Sequence, residues 1–496
     1  MQQIIKSDLL LDKYFNQYKK IIQRSICKVP NDISNVYRIM FQLKIAFKKI
    51  ENLYLIRNIE EIEPAVEYNS LGNIDYLIGS LVSGLISLGW STESLYLELK
   101  RRISVDWDLH RFLTILKKKP EVYVCLYKVR KLPPNDSLDF LKRAGLNIYS
   151  GQKIKEDYPK VDLKNFIAND SNYIKKEIEI FDYYSASEKG WEEIKSSFDI
   201  VKFYGYKVPE LDYKPIVFLP YGEKVVANKE IFQRKILKNH KATERMYEQY
   251  FEFVNRDDVS PSAKSRVKQV SQYIRMGEES LSIETMFLNL WVALESFVRS
   301  PQFKNDIENV MEVTAAIESH SYIYKLVKNL LEDCQRCKVN LTCENTYKLF
   351  QLILSTEGQN ELISKCKQKS TLLTYRTERL VKSLASPKEA GKLLEGHHQR
   401  IKWHLQRLYR IRNAIVHSAN HQQSNLTLFV RHLREYLSSI IPTSIYFLAT
   451  SNYQTLEEVF SAMIDNYNVT IEILKNDSGL DDERYYRLLK DGALFM

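Results

Sequence analysis

Glycine and proline are scarce in this chain, with 15 and 13 among 496 residues. So few turn formers and helix breakers disfavour a fold made mostly of tight β-turns and favour long helices. Six cysteines in a chain of this length argue against a disulfide framework. The first eight residues, Met1 to Asp8, lack the charged, apolar and small-residue regions of a signal peptide. The two most apolar runs, Tyr76 to Trp90 and Ile440 to Ala449, fall short of a membrane span, and the second contains Pro442. A soluble cytoplasmic protein with no membrane partner is therefore expected. There is no Gly-x-x-x-x-Gly-Lys-Ser/Thr loop to cradle a nucleotide triphosphate, and no His-Glu-x-x-His metal motif. Gly79-Ser80 lies inside an apolar helix with no Asp-x-Asp after it, which excludes a nucleotidyltransferase.

The length predicts two or three domains. The expected fold class is mainly α. Residues 1–117 read as a helical N-terminal region, 118–235 as a small α+β module, 236–475 as a helical domain and 476–496 as a C-terminal tail or docking helix. In the first region, Val36, Ile39, Met40, Leu43, Phe47, Ile50 and Leu53 step by threes and fours, which predicts an amphipathic helix. Ile74 to Leu88 is nearly all apolar and predicts a buried helix. Glu121 to Val129 is β-rich and ends before Pro133-Pro134. Ile174 to Tyr184 reads as a second strand, Ser187 to Tyr204 as a helix, and Tyr213 to Val226 as a hairpin. Helices resume near Ile231 and run to about residue 475, with Asp257 to Ser262 as a polar break and helix start.

The most chemical stretch is Arg410-Ile411-Arg412-Asn413-Ala414-Ile415-Val416-His417. It closes a helix expected from about His397 to His417, with Ile401, Leu405, Leu408, Ile411 and Ile415 as its buried stripe. RNA carries its own nucleophile, the 2′-hydroxyl. An enzyme that cuts it need only move protons and stabilise a phosphorane, tasks that a histidine and an arginine perform. On an ideal wheel Arg410, Asn413 and His417 share a face, whereas Arg412 lies about 140° from His417. An arginine beside an apolar stripe needs an acceptor, and Glu295 on the apolar segment Met286 to Phe297 is the candidate. A purely structural Arg412–Glu295 pair is the simpler alternative.

The Arg412-Asn413-x-x-x-His417 pattern resembles the signature of HEPN domains, in which an arginine precedes a histidine by four to six residues. Trp291-Val292-Ala293-Leu294-Glu295-Ser296-Phe297 is similar to the helix that precedes this motif in the ApeA-like type. The resemblance covers about residues 240 to 470, with a long helical insertion between its two parts. It implies a HEPN-type helical bundle and a metal-independent endoribonuclease without cofactors. It further implies a toxin-like effector of antiphage abortive infection, cutting RNA, with tRNA among the candidate substrates. The products would carry 2′,3′-cyclic phosphate and 5′-hydroxyl ends. Arg412, Asn413 and His417 would be catalytic, with Glu295 and Arg410 in support. A homodimer and a phage-derived or protein trigger are also implied. The alternative is a non-catalytic HEPN module that binds RNA or a protein.

The net charge is +10, and between Glu361 and Arg412 thirteen Lys or Arg face four Glu. Beside such a motif this run is read as an RNA track of Lys365, Lys367, Lys369, Arg376, Arg379 and Lys382. Cys334, Cys337, Cys343 and Cys366, with His320 as a substitute, could supply a zinc quartet, although reduced thiols in a helical insertion fit as well. His397, His398, His404, His421 and His432 flank the motif and are expected to be solvated rather than metal-bound.

Overall fold

The computed structural model describes residues 5, 8–27, 33–105, 109–212, 214–222, 224–227, 240–280, 282–303, 305–341, 343, 345–418, 426–476 and 479–494. The chain is mainly helical with a small sheet, as its composition predicts. It divides into two compact units, Met1–Gln233 and Arg234–Met496.

The first unit opens with α1 (Leu9–Tyr14), α2 (Asn16–Cys27), α3 (Ile33–Glu67), α4 (Leu71–Leu88), α5 (Thr92–Val105) and α6 (Leu109–Leu116). The expected stripe on α3 is only partly inside. Ile50 is buried, but Val36, Met40, Phe47 and Leu53 are exposed, and the helix buries Ala46, Ile59 and Ile62 instead. Helix α4 likewise buries one row, Leu77, Leu81 and Leu85, at the four-residue spacing of a single face. It is 18 residues long with a mean hydropathy of 1.4, and 17% of it is buried. It is thus neither the buried helix expected nor too short to cross a membrane, since length and composition alone would allow a span. Gly89 ends it at φ 106°, a left-handed cap that suits glycine.

The sheet follows: β1 (Glu121–Lys131), α7 (Asn135–Arg143), β2 (Ile148–Ser150), α8 (Gly151–Asp157), β3 (Asn172–Ile180), α9 (Tyr183–Phe203), β4 (Glu210–Leu211), β5 (Ile216–Phe218) and β6 (Val225–Ala227). The strand order is β2-β3-β1-β5-β6, with β4 also pairing β1, and every pairing is antiparallel. Central β1 is buried from Tyr123 to Tyr127, which explains its unbroken apolar run. Asp182 caps α9 and joins the helical and sheet parts. Its buried carboxylate accepts from Tyr184 N, Ser185 N and Ser185 Oγ, and from Ser91 N and Ser91 Oγ at 2.9 and 2.8 Å. Trp90 stacks on Phe181 beside it, with ring centres 5.5 Å apart.

The second unit is all helix among the described residues: α10 (His240–Asn255), α11 (Pro261–Glu278), α12 (Ile283–Phe297), α13 (Asp306–Ser319), α14 (Tyr322–Arg336), α15 (Thr346–Leu354), α16 (Thr356–Lys367), α17 (Thr371–Leu384), α18 (Pro387–Ser418), α19 (Leu426–Thr450), α20 (Leu456–Asn476) and α21 (Asp482–Asp491). The expected restart near Ile231 lies outside the described residues. Ser260 caps α11 at the predicted polar break, its hydroxyl accepting from Ala263 N at 3.1 Å. Of the two readings of the C-terminus, the docking helix is the one found: Tyr485, Leu488 and Leu489 are buried in a core with α14 to α17 and the first turns of α18.

Candidate active site

Helix α18 spans 32 residues and positions the motif. Ile401, Leu405, Leu408, Ile411 and Ile415 are all buried, as the stripe predicts. Each contributes about 2 kcal/mol by leaving water, so this face fixes the helix's rotation and therefore the direction of its polar residues. Arg410 and His417 are exposed, and Arg412 and Asn413 are half-buried.

The helix stays regular through Ser418. The angle of about 140° between Arg412 and His417 is therefore kept, and within one chain the two side chains point apart. Two clusters result. Arg410, Asn413 and His417 share one face, exposed at Arg410 and His417. Arg412 turns toward α12, where Trp291 is fully buried and its ring centre is 5.9 Å from that of Tyr409. Asn413 links the clusters: the Arg412 Nη1–H donates to its Oδ1 at 3.1 Å.

Glu295 faces Arg412 from α12. Trp291 Nε1–H donates to its Oε2 at 3.1 Å. Burial pushes the Glu295 carboxyl above its usual range, and Asp306 adds to this, while Arg412, the Trp291 bond and Arg299 pull it back. Among the described contacts no ion pair of 4.0 Å or less joins Glu295 to Arg412. The carboxylate biases the guanidinium without closing on it, so most of its five N–H donors are not spent on Glu295. Arg299 was missed in the sequence. Its signal is the four-residue step from Glu295, one turn along the same face.

The expected RNA track lies elsewhere along the unit. Lys367, Lys369, Arg376, Arg379 and Lys382 are exposed and Lys365 is half-buried, on α16, α17 and the link between them. Lys365 pairs with Glu361 at 2.5 Å and Arg376 with Asp333 at 3.1 Å. These helices share a core with Ala390 and Leu394, in the first third of α18. From Leu394 to His417 is about 35 Å of helix, so the track does not surround the motif as its place in the sequence suggests.

The flanking histidines are packed, not solvated as expected. His397 stacks on Tyr322 with ring centres 3.5 Å apart, and His398 on Tyr467 at 3.9 Å. His404 shares a 2.8 Å hydrogen bond from Nδ1 with the Tyr436 hydroxyl and a 3.1 Å bond from Nε2 with His432 Nδ1. Burial lowers His397, His398 and His404 to about 4, and it lowers His432 as well. His421 lies outside the described residues.

The zinc quartet does not assemble. Cys334, Cys343 and Cys366 are buried in the apolar core of the insertion, whereas Cys337 is exposed. His320 is half-buried, and loss of solvent around its ring lowers it to about 4. It lines a cavity of about 20 Å³, one water in size, with Ser321 and Asn466. Among the described residues no three His, Cys, Asp or Glu side chains are placed to share a metal ion.

No family model matches the chain. No curated protein and no solved structure matches it significantly either. The functional reading therefore rests on the residues themselves and on the motif resemblance.

Proposed function

We propose that the second unit is a metal-independent endoribonuclease of HEPN type. The observation that carries this reading is the Arg412–Asn413 hydrogen bond at the exposed end of α18, with His417 one turn beyond Asn413 on its side of the helix. In this scheme His417 moves protons to and from the 2′-hydroxyl and the leaving 5′-oxygen. Arg412, with donors to spare, stabilises the phosphorane. Asn413 holds Arg412 and orients the phosphate, and Arg410 supplies further positive charge on the His417 face. Cleavage then leaves a 2′,3′-cyclic phosphate and a 5′-hydroxyl, with no cofactor.

Because Arg412 and His417 diverge within one chain, the scheme requires a homodimer. A two-fold axis through residues 405–420 would bring one subunit's arginine to the other's histidine. The motif resemblance supports a cytoplasmic, toxin-like role in antiphage abortive infection, released by a phage-derived or protein trigger, with tRNA among the substrates. The divergence of Arg412 and His417 equally favours a second reading, a non-catalytic module that binds RNA or protein through the same helix end. Incubating the purified full chain with total RNA and EDTA separates the two. Cleavage that His417→Ala abolishes supports the nuclease, and intact RNA with binding retained supports the module.

A further inference from the structure

The insertion between α13 and α18 carries four of the six cysteines, and the proposed nuclease uses none of them. Two come together from separate helices. Cys334 on α14 and Cys366 on α16 place their sulfurs 4.0 Å apart, both fully buried. The Thr377 hydroxyl on α17, which donates to Leu373 O at 2.8 Å, lies 3.5 Å from Cys366 Sγ. Cys343 is buried in the same core, and Cys337 is exposed one turn after Cys334.

We propose that Cys334 and Cys366 are a peroxide-responsive thiol pair that closes to a disulfide linking α14 to α16. A disulfide needs sulfurs about 2 Å apart, so closure requires the two sulfurs to approach by about 2 Å. The two thiols are not equivalent. The hydrogen bond from Cys334 stabilises the Cys366 thiolate, and the same contact pushes the Cys334 thiol up. Cys366 is thus the attacking sulfur and Cys334 the resolving one. The Cys366 thiolate attacks one oxygen of hydrogen peroxide, breaking the O–O bond. It becomes a sulfenic acid, and the departing hydroxide takes up a proton to leave as water. Cys334 then attacks that sulfur. The S–O bond breaks, and the hydroxyl leaves as a second water with the Cys334 proton. The two thiols lose two electrons and two hydrogens, and peroxide is reduced to two waters.

The position gives the bond a consequence. Lys365 and Lys367 are the immediate neighbours of Cys366, so the link would pin the helix that carries part of the basic track.

The test uses the reduced full-length chain, treated with hydrogen peroxide under native conditions, then denatured, alkylated and mapped by peptide mass spectrometry. A 334–366 cross-linked peptide lighter by two hydrogens is expected in the wild type and in C337A and C343A. In C334A, Cys366 should stop at a sulfenic acid that dimedone traps. Oxidation of Cys337 alone, links through Cys343 or Cys337, or Cys334 and Cys366 left fully alkylatable would overturn the proposal and leave these thiols as small apolar core residues. The wild-type map decides the matter alone if a variant fails to fold.

Discussion

Arg412 and Asn413 are consecutive on a regular helix, about 100° apart, yet their side chains bend together into a 3.1 Å hydrogen bond. The bond ties a residue that looks toward Glu295 to one that shares the His417 face. Removing the amide should therefore harm Arg412 as much as deleting part of it. Asn413→Ala is expected to lower RNA cleavage strongly with little loss of stability, because the residue is only half-buried. Asn413→Asp should retain the acceptor and more of the positioning, but place a negative charge beside the phosphate. Single-turnover cleavage rates of the two variants check this. Equal, near-wild-type rates would remove Asn413 from the site.

His417→Ala should reduce cleavage by about 10²–10⁴-fold, the range for a lost general acid or base. Arg412→Ala should cost about 10²–10³-fold, as for a lost oxyanion donor. Both should melt near the wild type, since His417 is exposed and Arg412 makes no ion pair among the described residues. If Arg410→Ala is inactive and Arg412→Ala is not, the single-face trio Arg410, Asn413 and His417 is the working set. Full activity in all three variants would end the nuclease reading.

Mixing the His417→Ala and Arg412→Ala chains probes the dimer. A composite site built from two subunits predicts restored activity in the mixture, up to about half of the heterodimeric sites. Light scattering that shows a fully active monomer would contradict it.

The basic track makes a length-dependent prediction. From His417 to Leu394, whose core α16 and α17 share, an RNA must follow about 35 Å of helix. Reversing the charge of Lys365, Lys367 and Lys369 together should leave cleavage of a very short oligonucleotide unchanged. It should weaken binding of a long RNA and flatten its salt dependence by roughly 0.7 in log–log slope per lost contact. An unchanged slope with long RNA would mark the track as a solvated face.

The packed histidines predict acid sensitivity. His320, His397, His398 and His404 titrate near 4 in the folded chain because burial disfavours their charged form, against about 6.5 when unfolded. The unfolded chain binds more protons between these values. Their contribution to stability is thus complete above about pH 6.5 and lost as pH falls toward 4. Thermal unfolding followed by circular dichroism should show the midpoint falling from pH 7 to pH 5, as stability drops by roughly 1–2 kcal/mol per histidine at most. The raised carboxyls of Glu188, at about 7, and of Glu295 and Glu318 act in the opposite sense. His404→Gln isolates the histidine effect, because it should flatten the dependence.

Periodicity made the core of α18 legible: five apolar residues at helical spacing are five buried residues. The continuous apolar run of β1 was legible for the same reason, since both faces of a central strand are covered. Periodicity failed on α3 and α4, where an apolar pattern meets too few neighbours to bury it. Sequence distance misled at the basic track, because a 32-residue helix carries its two ends about 45 Å apart. The histidines were misjudged for another reason. Their partners, Tyr322, Tyr467 and Tyr436, come from helices far along the chain, and a one-dimensional pattern does not show them. The demand of an arginine near an apolar stripe for an acceptor is met by Asn413 Oδ1 rather than by an ion pair with the expected Glu295.

The Asp182 carboxylate also decides where the first unit can be cut. A chain beginning at residue 118 would keep Asp182 and its three donors from Tyr184 and Ser185, but lose both donors from Ser91 and the Trp90 ring over Phe181. An anion solvated by five protein groups would be left with three, its neighbours stripped of cover. The helices before the sheet are therefore part of what lets the sheet stand, and any dissection of this protein by truncation should keep residue 91 with residue 182.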